Sequence, residues 1–136
     1  MRSLMKSLLL GAALGSMSAA LAAHAANLGP QNSAEGGVAI QVTPIDVGAS
    51  AQAWTFAVAL NTHSQNLADD VAAEAFIVDA AGKPQPAVGW EGDPPGGHHR
   101  KGVLRFAPLS PKPALIEVRI QRAGEAEPRA FQWSIE

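Results

Sequence analysis

The chain has 136 residues, with ten lysines and arginines against twelve aspartates and glutamates. The resulting charge of −2 provides no basic footprint for nucleic acid or anionic lipid. With no cysteine, a disulfide framework, a thiolate metal site and a lipoprotein anchor are excluded.

The first stretch has the form of an export signal. Arg2 and Lys6 make a positive start, residues 8–21 are an apolar run broken only by Gly and Ser, and Ala23-His24-Ala25 offers the small residues a signal peptidase reads. The run is short for a membrane span, so cleavage after Ala25 is expected to release a periplasmic or secreted protein without a transmembrane anchor. A cut after Ala23 would instead leave His24 at the new N-terminus. Removing residues 1–25 leaves 111 residues, eight basic and twelve acidic, hence −4, and removes every methionine. That length suits one domain with a single core.

Residues 26–37 are polar and contain Gly, Pro and Ser, which predicts a flexible N-terminal arm ahead of a single domain over residues 38–136. Residues 38–43 alternate and stop at Pro44. Residues 53–60 place Trp54, Phe56, Val58 and Leu60 on one face. Residues 71–78 are ambiguous: the alanines and Glu74 suit a helix, but Phe76-Ile77-Val78 before Asp79-Ala80-Ala81-Gly82 favours a strand and turn. Short strands follow at 87–90 and 103–106. Residues 115–121 alternate cleanly, and Phe131, Trp133 and Ile135 alternate with polar neighbours at the end. About seven short strands with no competing amphipathic helix predict an all-β, immunoglobulin-like antiparallel β-sandwich.

Two polar loops hold every histidine left after cleavage. Residues 61–70 carry His63, Asp69 and Asp70. Residues 90–102 carry Trp90, Asp93, His98, His99 and Arg100. The second stretch has two prolines and four glycines, a composition that predicts a shaped loop. If the loops meet, imidazoles of His63, His98 and His99 with carboxylate oxygens of Asp69 or Asp93 form a donor set suited to Cu(II) or Zn(II). Adjacent side chains on extended backbone point apart, so only one of His98 and His99 is expected to face His63. The competing expectation is a set of loop histidines bonded to backbone, with Gly96-Gly97 serving only the turn.

Thr62-His63-Ser64-Gln65 has the form of a capping box opening a helical turn. Ser64 beside His63 lacks the structural setting of a nucleophile and base, so no enzyme is expected. Trp90 is placed to pack against the histidines or to form a recognition surface. Arg100, Lys101, Arg105, Arg119 and Arg122 are expected on a solvated sheet face, with Trp90 and Arg100 as contacts for a partner.

Taken together, residues 56–70, with Thr62-His63-Ser64 and Leu67, and the string Trp90-x-Gly92 to Gly96-Gly97-His98-His99-x-x-Gly102-x-Leu104-x-Phe106 resemble an uncharacterised family of small exported bacterial domains. The resemblance covers roughly half of the mature chain and implies no established activity. In architecture the chain is also similar to CopC-type copper-binding sandwiches of the periplasm. That similarity implies a histidine at the mature N-terminus with further His and Asp donors, and only cleavage before His24 would supply the first. The leading expectation is a non-enzymatic metal-binding sandwich. The alternative is a metal-free module that docks a protein or an envelope polymer through loop 90–101.

Overall fold

A computed structural model describes residues 28–135; the expected export signal lies outside them. The described residues form β1 (Gln31–Glu35), β2 (Val38–Asp46), β3 (Trp54–Thr62), α1 (Val71–Glu74), β4 (Ala75–Val78), β5 (Pro84–Pro86), β6 (Gly89–Gly92), β7 (His99–Phe106), β8 (Leu115–Ile120) and β9 (Arg129–Ser134). One sheet has the order β1-β2-β3-β7-β6 and the other β5-β4-β8-β9. Every pairing is antiparallel, so the all-β sandwich expected from the alternation is the observed architecture. No helix of the described residues is long and apolar enough to cross a membrane.

The core follows from side-chain parity. In β3, Trp54, Phe56, Val58 and Leu60 are buried while the residues between them are partly exposed. Val38, Ile40 and Val42 of β2 and Leu104 and Phe106 of β7 extend this inner face. The second sheet answers with Ile77, Ile116, Val118, Ile120, Phe131 and Trp133. Phe56 meets Phe106 edge-on at 5.6 Å and reaches Trp133 in the other sheet at 5.7 Å. Each such side chain contributes roughly 1.5–3 kcal/mol by leaving water. That matters in a chain with no disulfide to restrict its unfolded state.

Four local expectations change. Residues 31–35 are a strand, not a flexible arm, paired from Gln31↔Val42 to Glu35↔Val38. Gly36 and Gly37, with φ of 54° and 79°, make the tight turn whose twist suits a two-residue hairpin. Because β1 is an exposed edge, it lacks the apolar alternation that would announce it. Together with the proline-bearing edge strand β5, it brings the count among the described residues to nine rather than about seven.

Residues 71–78 split. Asp70 caps α1 by accepting from Ala73 N–H at 3.2 Å, and the remainder, ending on β-branched Ile77 and Val78, extends as β4. Thr62 and Gln65 do not open a helix. Thr62 Oγ1 donates to Gly37 O at 2.7 Å, Gln65 Nε2 donates to Gly36 O, and both hold the β1–β2 turn.

The stretch 90–102 is largely strand. Gly92 and Gly102 lie opposite each other in β6 and β7. A Cβ on Gly102 would stand 2.5 Å from the Trp90 ring, and one on Gly92 would stand 2.4 Å from the backbone of residues 101 and 102. These two glycines make room for an indole, and only residues 93–98 remain as loop.

Candidate functional site

The two polar loops meet at one pole of the sandwich, and backbone joins them. Thr62 N–H donates to His98 O at 2.9 Å, Leu67 N–H to Gly97 O at 2.9 Å, and Gly96 N–H to Leu67 O at 2.7 Å. Asn66 Oδ1 accepts from Gly97 N–H at 3.0 Å.

Arg100 clamps this junction from inside. Its Nη1 donates to Asp69 O at 2.6 Å and Leu67 O at 3.3 Å, and Nη2 donates to Asp93 O at 3.2 Å. The residue is 2% exposed, and its guanidinium lies 5.8 Å from the centre of the Trp90 ring. Trp90 is half-buried over Gly102 and gives its indole N–H to Asp93 O at 3.2 Å. Arg100 is therefore no surface contact for a partner. It sits on the inward parity of β7 with Leu104 and Phe106. There it supplies the donor for the Asp69 carbonyl and a second donor for the Leu67 and Asp93 carbonyls, which also accept from Gly96 N–H and the Trp90 indole.

Each carboxylate of the expected donor set already accepts hydrogen bonds within the protein. Asp69 is buried, with Oδ2 accepting from Arg122 Nε at 2.7 Å and Oδ1 from Arg122 Nη2 at 3.2 Å. Burial raises the Asp69 carboxyl, but the hydrogen bond and charge of Arg122 outweigh it and hold the group below the usual carboxylate range. Asp93 Oδ2 accepts from Lys101 N–H at 2.9 Å across the base of the loop. The basic residues expected on a solvated face also divide: Arg122 is buried, whereas Lys101 and Arg105 are exposed.

The three imidazoles are exposed. His63 directly follows β3 and His98 directly precedes β7. His99 opens β7 opposite Asn61, with Nδ1 2.6 Å from Asn61 Oδ1. An imidazole that donates Nδ1–H to this oxygen has its Nε2 directed away from the bond. Among the described residues no group of three or more His, Asp or Glu side chains is placed to hold a metal ion.

Three residues that composition did not single out complete the pole. Arg129 reaches Val38 O at 2.8 Å, Glu35 O at 3.0 Å and Ser33 O at 3.3 Å, and pairs with Glu125 at 2.7 Å. Glu74, at the end of α1, faces Asp69 and Arg122. Burial, then the Asp69 charge and the hydrogen bond between the two carboxyls, push Glu74 up to about 7. Arg129 was legible, because it shares the parity of Phe131 and Trp133. Glu74 was not, because its partners come from other segments.

No protein-family model, curated protein or solved structure matches the chain.

Proposed function

We propose that this protein is an exported, non-enzymatic β-sandwich that docks a protein or envelope partner through the pole built from residues 61–70 and 93–98. The observation that carries the reading is the Arg100 clamp. One buried guanidinium anchors carbonyls of both loops and so presents His63, His98 and His99 on a preorganised polar surface. Such a surface loses little conformational entropy on binding. The docking face is the outer rim of this pole, with Trp90 and Arg100 as its internal supports.

The absence of cysteine makes the test direct. His63→Cys and His98→Cys variants carrying a photocrosslinker should form adducts with a partner in cells, while Ala80→Cys, in the remote turn after β4, should form none. Adducts from all three alike, or from none, would remove the docking reading.

A second reading rests on the Asn61–His99 contact. A neighbour that fixes one imidazole nitrogen as donor leaves the other as a ligand, which is how metal-binding histidines are commonly oriented. On that reading His99, with His63 or His98, binds Cu(II) or Zn(II) at the surface and no carboxylate takes part. Metal at about a hundredfold its dissociation constant would then stabilise the fold by roughly 2.7 kcal/mol. His99→Ala should lose the gain, as should one of His63→Ala and His98→Ala, and an unchanged parent melting point would dispose of this reading.

A further inference from the structure

Glu74 ends α1 beside a cleft of about 220 Å3 lined by Asn66, Ala68, Asp69, Glu74, Arg122 and Ala123. Two carboxyls and one guanidinium share the cleft, and the guanidinium is already committed. Arg122 gives Nε and Nη2 to Asp69, and its Nη1 lies 3.8 Å from Glu125 Oε2. Glu74 Oε2 is buried and faces no donor. As a carboxylate oxygen it would be an unsatisfied charge beside a second carboxylate. As the oxygen of a protonated carboxyl it becomes the donor, and Asp69 accepts. We propose that Glu74 and Asp69 form a proton-shared carboxyl pair latching α1 and loop 61–70 to the β8–β9 turn, and that the latch weakens as the shared proton leaves.

The charges around the pair come from four sides. Asp70, beside it in sequence, is occupied in capping Ala73 N–H. Arg100, from β7, holds the Asp69 carbonyl rather than its carboxylate. The β8–β9 turn brings Arg122 and Glu125, and Arg129 of β9 stands behind Glu125 at 2.7 Å. The backbone closes the same junction, with Gln121 N–H donating to Glu74 O at 2.9 Å.

The direction with pH follows from linkage. An unfolded glutamate releases its proton near 4.5, whereas the folded one holds it up to about 7. The latch therefore contributes fully below the unfolded value, weakens between the two, and is lost once pH has risen through the folded value. Its opening constant climbs by up to about tenfold per pH unit in that interval and levels off above it. The latch needs no docking partner, so it stands or falls apart from the function proposed above.

The experiment is a side-chain carboxyl titration of Glu74 by carbon NMR on the folded protein, with amide exchange of residues 66–75 and melting curves from pH 5 to 8.5. Parent and Glu74→Gln are compared, since the amide keeps a permanent donor toward Asp69. The expected results are a Glu74 carboxyl that titrates near neutrality and a parent whose junction opens as pH rises to about 7 and then levels off. Glu74→Gln should lose that component. A Glu74 that titrates in the ordinary carboxylate range, or a Glu74→Gln variant that follows the parent at every pH, would overturn the proposal. Should Glu74→Gln fail to fold, the titration of the parent decides by itself.

Discussion

Arg122 Nε donates to Asp69 Oδ2 over 2.7 Å and Nη2 donates to Oδ1 over 3.2 Å, joining the β8–β9 turn to the loop after β3. The two side chains are 10% and 5% exposed, so Asp69 would be a buried, uncompensated charge without Arg122, whereas Arg122 would keep Glu125 at 3.8 Å. Arg122→Leu should therefore cost about 3–5 kcal/mol, while Arg122→Leu combined with Asp69→Leu should cost clearly less than the two single changes added. Urea unfolding of the three variants measures this. A loss below about 1 kcal/mol for Arg122→Leu would put the pair in the class of weak surface ion pairs.

Arg100 serves three carbonyls at once, and a lysine ammonium cannot span them. Arg100→Lys should lose about 2–4 kcal/mol, the worth of one or two charge-assisted bonds. Amide exchange at Leu67, Gly96 and Gly97 should quicken first, because those N–H groups close the loop junction. Uniform quickening across all strands would show that Arg100 has no special hold on the loops.

Gly102→Ala drives a Cβ toward the Trp90 ring at 2.5 Å and toward Glu91 O at 2.7 Å. Overpacking of this kind costs about 1–3 kcal/mol. Gly89→Ala in β6 meets only Arg105 Cδ at 3.9 Å and should stay within about 0.5 kcal/mol of the parent. Tryptophan emission adds a readout, since Trp54 and Trp133 are 1% and 2% exposed and only Trp90 is free to respond. A red shift is expected for Gly102→Ala and not for Gly89→Ala.

The acid limb of stability should come from Asp69 and Glu125. Asp69 is held low by Arg122 against its burial, and Glu125 is lowered first by its hydrogen bond to Arg129. Groups with depressed folded values contribute stability above their unfolded values, 3.8 and 4.5, and lose it as pH falls through the folded ones. Glu74 acts in the opposite sense at the alkaline side. Melting temperature against pH should pass through a maximum in the mildly acid range. Arg129→Leu should lose the Glu125 part of the acid limb and free β1 through its lost bonds to Ser33 O and Glu35 O. An acid limb unchanged in that variant would exclude Glu125 as its source.

Parity was the most reliable signal along the chain. It placed Trp54, Phe56, Val58 and Leu60 inward before any contact was known, and carried further it would have placed Arg100 with Leu104 and Phe106 and Arg129 with Phe131 and Trp133. The usual exposure of arginine argued against that, and burial won because backbone carbonyls take both Nη groups of Arg100, and carbonyls together with Glu125 take the guanidinium of Arg129. The glycines of residues 90–102 misled for a related reason. Gly92 and Gly102 suggest loop by composition, yet they sit in paired strands because the Trp90 ring fills the space their side chains would need.

By itself the sequence determined the all-β class, the single core and the segments that face it, because alternation over a few residues is local and burial of one face is worth enough to enforce it. It also gathered the polar residues into two loops. Tertiary structure decided how those loops join and what each charge does there. The partners of Asp69 and Arg100 come from distant segments, and a carboxylate becomes a ligand, a salt-bridge partner or a proton holder according to which donors the fold brings within about 3 Å.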